Sequence, residues 1–564
     1  MFKKIVHLFQ NELFFFLFFS LLLLSISISP QIKRLLETPP DRVFSGLEFY
    51  SDDYSIYVSN IFQGQRGRWT LLDKHTTEPH EGTIIHDEYL LWGKYTGLFG
   101  IDPITSYHLA RYTFGFLLLG MVYLFLKEFS PKFRKLAFFL ITFATGFVIV
   151  RKEASGINLD FHMNWLTEMD NFYRFVALPH YLLGNIFFLG TLLALLKYLN
   201  QENGEQPKAK RYLFWGAFCS LMLALIHPVS LVSLMALLGI YLLFTNIIKL
   251  ISIKKPLILN TKYLILSRQN IFFFVCLVTA TPVMLFYRSQ FFVPPWNHMA
   301  AWEGVTQYYV PLWEFALAIG PTFFLGIVGL ISFFIYLAKN FTSHIFHSTL
   351  LLFSWIISFF LLIYFSYPYL HISQVRFMQV FIFIPFGIFA ASGIYFISNL
   401  VESFIKIKLY IARFILFIIV LTALPYYYHS LEEKYRFFTD FSPLIYPFKE
   451  TVAGYDWLEK NSPADKVVLG AFLAGTQIPY FSNNTVYVGH LWATLNRKEK
   501  EDLQNKFLNN QMTPREAQQF FEKNRISYFF YGFQERSYPI QPQNYSFLKP
   551  VYQNPSTIIY EVIM

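Results

Sequence analysis

The stretch "SDDYSIY" (51–57) sets Asp52 and Asp53 side by side, and "TTEPHEG" (76–82) follows with Glu78, His80 and Glu81 around Pro79 and Gly82. A positioned carboxylate can act as a general base, taking the proton from a hydroxyl as that hydroxyl attacks a carbon centre. Asp52, Asp53 and Glu78 are the candidate bases. A second acid of such a group can orient the attacking molecule or hold a hard divalent cation, magnesium or manganese. No cofactor is assigned. A metal held by Asp52, Glu78 and His80 stays open, although their spacing matches no specific metal pattern. The plainer alternative makes Asp53 the cap of a helix starting at Tyr54, Asp52 a solvated side chain and "TTEPHEG" a polar turn.

Further candidates lie later in the chain. "GINLDFHMNWLTEMDNFYRFVALPHYLLGN" (156–185) carries Glu168, Arg174 and His180 close to an apolar run, and "ALIHPV" carries His227. Arg111, Arg288 and Arg376 stand at the outer ends of apolar segments, against the usual charge asymmetry. A guanidinium there suits a phosphate, which it grips through two parallel hydrogen bonds. The alternative reading is a snorkelling arginine paired with a headgroup or an internal acid.

The elements that must position these groups belong to a membrane protein. Of 564 residues 54% are hydrophobic and 15% charged, and apolar runs of spanning length recur through the first three quarters. About eleven spans are expected, near 12–29, 107–127, 136–150, 180–198, 212–227, 229–248, 270–287, 311–337, 348–366, 377–397 and 409–426. The region "ALIHPVSLV" is either a tight turn or a kink at Pro228 in one long helix. The net charge of +10 gathers in "LKEFSPKFRK", "NQENGEQPKAKR" and "KLISIKKPLILNTKYLILSR", which argues for membrane topology and excludes a nucleic-acid partner. That asymmetry places the N-terminus in the cytoplasm and the acid-rich loops outside. Two cysteines, both in apolar segments, support no disulfide framework.

The expected organisation is a transmembrane domain over 1–426, including a first extracytoplasmic loop at 30–105, and a soluble extracytoplasmic α/β domain over 427–564. In the tail, "TVAGYDWLEKN", "RKEKEDLQNKFL" and "TPREAQQFFEKN" read as helices, the last with a Thr513/Glu516 capping box. "KVVLGAFL", "TVYVGHL", "ISYFFYGF" and "STIIYEVI" read as strands.

An acidic motif in a large first loop, surface helices, about eleven spans and an outward C-terminal domain resemble the polytopic glycosyltransferases of the GT-C superfamily. The resemblance covers nearly the whole chain. "YVSNIFQGQRGRW", "TTEPHEG", "YLLWGKYTGLFGI", "YHLAR", "ALIHPV", "QVRFMQVFIFIPFGIFAASGI", "YVGH" and "YGFQER" are similar to segments of a bacterial subgroup placed there by architecture. It implies a bacterial cytoplasmic-membrane enzyme that moves a sugar, with inversion, from a polyprenyl-phosphate donor held by membrane lipid to a glycan, lipid or protein acceptor. The catalytic acid then corresponds to Asp52 or Asp53 and the phosphate arginine to Arg376. Because "QIKRLLETPPDRVFSGLEFY" intervenes after the first helix, Glu78 stays an alternative base. His80, Glu168, Arg174, His180, His227 and Arg288 are the further substrate-binding candidates. The rival readings are a transporter or flippase of a lipid-linked saccharide and a non-catalytic envelope-assembly protein. Transporters usually show midplane charges and inverted repeats, neither of which is evident here.

Overall fold

The computed structural model describes residues 10–153, 156–163, 165–201, 206–252, 267–339, 343–379, 381–405, 410–436 and 442–563. Most of the basic connection read at 249–268, and part of the one read at 200–211, lie outside the described residues. Contacts divide the chain into two compact units. One comprises 1–30, 111–286 and 303–436, the other 31–110, 287–302 and 437–564.

The first unit is helical. Its helices bury Leu118, Val122, Phe138, Leu182, Leu189, Leu234, Trp355 and Ile384 in one apolar core. Across the described residues nine helices are long and apolar enough to cross a membrane, or ten if one bent pair counts as a single span. Eleven were expected, and the difference has a physical cause. The run at 136–150 forms only the helix Arg134–Phe143, ten residues long, which rises about 15 Å against a hydrocarbon core of about 30 Å. Beyond it the β-branched "VIV" enters strand β1 (Val148–Glu153), which pairs antiparallel with β2 (Gly156–Phe161).

The run at 311–337 is likewise interrupted. Leu312–Ile319 and Pro321–Ile335 meet at 101°, at Gly320 with φ 68°. A Cβ at Gly320 would come within 2.3 Å of the Thr145 carbonyl oxygen, so only glycine permits both the left-handed turn and the close approach. At "ALIHPV" the chain takes the two-helix form. The helices Gln206–Ile226 and Pro228–Ser252 flank His227, with Pro228 at the first helical position, where its missing N–H costs nothing.

The second unit holds a five-stranded sheet of order β4-β3-β5-β7-β6, from β3 (Val467–Leu469), β4 (Thr485–Val486), β5 (Ile526–Tyr531), β6 (Leu548–Gln553) and β7 (Ile558–Val562). The β4-β3-β5 part is parallel and the β5-β7-β6 part antiparallel. Four helices accompany the strands: Lys449–Asn461, Phe472–Phe481, Arg497–Leu508 and Pro514–Lys523. The last carries the expected capping box of Thr513 and Glu516. The strand at 548–553 has no counterpart in the sequence reading.

The first loop is part of this same unit. Val43 and Ser45 donate to the carbonyls of Pro447 and Ile445 at 2.9 and 2.8 Å, and Val486 of β4 donates to that of Lys74 at 2.9 Å. Helices Ser51–Gln65 and Asp87–Gly97 of the loop stack Tyr57 on Tyr89, with ring centroids 4.5 Å apart. Gly475 and Gly489 are set so close that a Cβ on Gly475 would lie 1.8 Å from the Val488 carbonyl oxygen. Gly475→Ala is therefore expected to cost about 1–3 kcal/mol through overpacking. A fall in the thermal midpoint of the purified chain, relative to an exposed Gly304→Ala control, checks this.

Candidate functional site

The acids of "SDDYSIY" occupy the first turn of the helix Ser51–Gln65, whose N-cap is Tyr50 in the left-handed region and makes no side-chain cap bond. Asp53 is thus no cap. Both acids are half-buried and lie where the positive end of the helix dipole favours a carboxylate. Burial raises the proton affinity of Asp52, and the nearby His75 and Arg497 oppose that rise.

The groups around Asp52 come from the first loop, the 287–302 segment and the tail. Ser55 donates its hydroxyl to the Asp52 carbonyl at 3.0 Å, and the same oxygen lies 3.0 Å from His75 Nε2. Asp73 accepts the His75 amide on Oδ1 at 2.8 Å. Burial pushes the Asp73 carboxyl up, but its hydrogen bonds and charge contact with His75 outweigh this and hold it below the usual range. The His75 and His490 rings pack edge to face at 5.3 Å. His490 Nδ1 accepts two backbone amides, from Trp492 at 3.0 Å and Ala493 at 2.8 Å. Its hydrogen therefore sits on Nε2. Burial and the neighbouring His75 push its pKa down to about 3, so it is a neutral donor. Nε2 lies near the Asp52 carbonyl without forming a hydrogen bond. His298 donates Nδ1–H to the Pro295 carbonyl at 2.6 Å and lies within electrostatic reach of Asp73.

Glu78 and His80 share this unit but serve its architecture. Glu78 accepts from Lys500 Nζ at 2.7 Å and from the Thr76 hydroxyl. Its own burial is outweighed by these bonds, which hold it below the ordinary carboxylate range. His80 donates Nδ1–H to the Glu78 carbonyl at 2.7 Å and accepts the Asp73 amide on Nε2 at 3.0 Å. Asp52, Glu78 and His80 therefore do not suit a metal: one carboxylate is neutralised by an ammonium, and both imidazole nitrogens are engaged by backbone. Glu78→Gln is expected to lower stability by about 1–3 kcal/mol by leaving the mostly buried Lys500 ammonium without its counter-charge. Lys500→Met in the same background should recover part of the loss in a thermal melt.

Arg288 is exposed in the last turn of the helix Arg268–Gln290, its guanidinium 5.7 Å from the Phe292 ring. The remaining candidates belong to the helical unit. Arg376 donates Nε to Glu303 at 2.8 Å, and the other Glu303 oxygen accepts the Ser373 amide at 2.7 Å. His180 and His227 are buried with ring centroids 5.7 Å apart, and His227 Nδ1 lies 2.6 Å from the Ser230 hydroxyl. Arg174 is 1% exposed, donates to the carbonyls of Glu168 at 2.9 Å and Ile141 at 2.8 Å, and stacks 3.4 Å over Phe383. The bond to Ile141 satisfies a carbonyl where the helix Arg134–Phe143 ends. Glu168 is buried beside it, and burial pushes its pKa up to about 7.

Sequence reading missed Asp73, His75 and His298. The signal was available in "LLDKHTTEPHEG", where Asp73 and His75 alternate with Lys74, so that both project to one side of an extended segment.

No family model matches the chain, and no curated protein does. Solved structures do. The oligosaccharyltransferase AglB of Archaeoglobus fulgidus, in complex with an inhibitory peptide and a dolichol-phosphate, is similar over 93% of this chain and 69% of its own, with TM-score 0.56 and 13% identity. The chain has the GT-C fold. Two further structures of the same organism's oligosaccharyltransferase share it. One, tethered to an acceptor peptide containing the NVT sequon, covers 98% of this chain and 74% of its own, at TM-score 0.54 and 14% identity. The other, a complex with Zn and sulfate, covers 96% and 73%, at TM-score 0.53 and 13% identity. In this chain the charged groups nearest the half-buried Asp52 are His75 and Arg497 rather than Glu78.

Proposed function

We propose that the chain is a membrane glycosyltransferase that moves a sugar from a polyprenyl-phosphate-linked donor to a glycan, lipid or protein acceptor on the extracytoplasmic side. The observation that carries this reading is a fold likeness spanning 93% of the chain to an oligosaccharyltransferase solved with a dolichol-phosphate and a peptide. A donor with a long polyprenyl chain is costly to extract, at about 0.8 kcal/mol per buried methylene. An enzyme built into the bilayer meets it where it resides.

Asp52 is the base in this reading. Its raised proton affinity, set by burial, places it nearer the range in which a carboxylate takes a proton effectively. The acceptor oxygen or nitrogen forms a bond to the anomeric carbon from the face opposite the leaving group. Its proton passes to Asp52, and the polyprenyl phosphate leaves with the electron pair of the broken C–O bond. The anomeric configuration inverts. Arg288, exposed in the same unit as Asp52, is the cation offered to the phosphate; Arg376, in the helical unit, pairs with Glu303. Glu78, held ionised by Lys500, is the poorer base.

The test uses proteoliposomes containing the full chain, radiolabelled polyprenyl-phosphate sugars and an acceptor extract. The reading expects label to leave the lipid and appear on acceptor, with release of polyprenyl phosphate. Label that stays on its lipid, or crosses the bilayer on an unchanged carrier, overturns it.

A further inference from the structure

One helix of the second unit is apolar on two sides. In Asp87–Gly97 the residues Tyr89, Leu90, Gly93 and Thr96 are buried, along the side that meets the helix Ser51–Gln65. Leu91, Tyr95, Leu98 and Phe99, spaced as i, i+4, i+7 and i+8, make a second stripe. That stripe is exposed, Leu98 by 82% and Phe99 by 65%. A helix that is apolar all round belongs in a core or in lipid. The first stripe is in a core and the second is not. Gly100, at φ 66°, ends the helix and lets the Ile101 amide return to the Thr96 carbonyl at 3.3 Å, which leaves Leu98 and Phe99 at the tip. The exposed Trp69 lies beside them, with Lys94 Nζ 4.0 Å from its ring. Aromatic rings mixed with ammonium groups are the composition of a bilayer interface.

The helix is fastened to the end of a membrane span. Trp92 donates Nε1–H to the Ser106 carbonyl at 2.8 Å, and the hydroxyls of Thr96 and Ser106 are 2.6 Å apart. Ser106 lies in the first turn of Pro103–Leu126, one of the candidate spans. The 24 residues of that span rise about 36 Å against a hydrocarbon core of about 30 Å, so its ends reach the headgroup layers. An apolar stripe held there meets lipid rather than bulk water. The same helix is locked to the one that carries Asp52. A Cβ on Gly93 would lie 2.1 Å from the Ile61 carbonyl oxygen, and one on Gly64 2.1 Å from that of Leu90. The two backbones touch through paired glycines, so the helices move as one body.

We propose that Asp87–Gly97 with the turn after it is an interfacial foot, which seats Leu91, Tyr95, Leu98 and Phe99 between headgroups and acyl chains and so sets the height of Asp52 at the bilayer surface. The seating rests on the geometry alone. Its consequence for a lipid-linked donor rests on the glycosyltransferase reading: the reactive carbon of such a donor sits at a fixed depth, and the base must meet it there.

The experiment uses the full chain with Cys219→Ala and Cys276→Ala, reconstituted in vesicles of phosphatidylcholine and phosphatidylglycerol and spin-labelled at Leu98→Cys, Phe99→Cys or, as an exposed control in the tail, Glu499→Cys. Relaxation by oxygen, which partitions into lipid, should exceed relaxation by a water-soluble nickel chelate at 98 and 99 and fall below it at 499. Nickel access at 98 and 99 equal to that at 499 overturns the proposal. Protection from both reagents marks a second copy of the chain on the stripe and overturns it too. Leu98→Ser combined with Phe99→Ser should lower transfer from a long-chain polyprenyl-phosphate sugar about 10- to 100-fold, the order that a misplacement of about 1 Å brings, and leave transfer from a short, water-soluble donor unchanged. Equal losses with both donors, or none with either, overturn the control of height. A native chain that transfers from neither donor overturns the glycosyltransferase reading, and the spin labels still decide the seating.

Discussion

Asp52→Asn is expected to lower sugar transfer about 100- to 10,000-fold, the range a positioned general base supplies. Asparagine has the shape of aspartate but no basic oxygen, so the helix Ser51–Gln65 and the Ser55 bond to the residue 52 carbonyl are retained. The substitution also removes a carboxyl that burial makes harder to ionise, so the folded state loses no favourable charge. The thermal midpoint should therefore stay at or slightly above the native value. Asp53→Asn, one residue along the same turn, is the discriminating control. A tenfold or smaller effect of Asp52→Asn, with a collapse on Asp53→Asn, moves the base to the neighbouring acid. Full activity in both removes the first-loop acids from the chemistry.

Glu168→Gln is expected to stabilise the chain at pH 8 by about 3 kcal/mol and to make little difference at pH 4. Burial lifts the folded-state pKa to about 7, while the unfolded value is about 4.3–4.5. Between these limits the folded state holds a proton that the unfolded state has lost, so stability falls as pH rises and reaches its full deficit above the folded pKa. A difference of about 2.5 units corresponds to roughly 3 kcal/mol. Glutamine keeps the volume and the contact with the Thr167 hydroxyl without a titrating group. Thermal midpoints of both proteins from pH 4 to 8 check this. Parallel curves would show that Glu168 stays ionised through an ion partner. Asp87, lifted to about 6 by burial and by Glu88, leaves a smaller slope of the same sign in both.

How far the fold could be read depended on how local its causes were. Long apolar runs and the Thr513/Glu516 box depend on neighbours within a few residues and were legible, whereas at Pro228 the sequence left a turn and a kink both open. The end of the helix at Phe143 was not legible, because the groups that satisfy its carbonyls belong to Arg174, thirty residues on. The cluster around Asp52 was hidden for a similar reason. His75 and His490 lie more than four hundred residues apart and meet only because the first loop joins the tail sheet through Lys74 and Val486. Asp52 was visible as half of an acidic pair. Its partners were not, since "TTEPHEG" drew attention to Glu78 and His80, whose polar atoms hold Lys500 and the loop backbone.

The two interrupted segments of the helical unit complete each other. Phe147 donates its amide to the Leu317 carbonyl at 2.8 Å, and Gly320 nests against Thr145. Neither broken stretch can offer its bare amides and carbonyls to lipid alone, because hydrocarbon supplies no substitute partners. During biosynthesis residues 144–147 emerge well over a hundred residues before 317–320. The earlier stretch must wait at the translocon or at the wet bilayer edge until its counterpart is made. Truncations ending before residue 312 should thus be retained by insertion machinery or degraded, while those reaching past 339 should not.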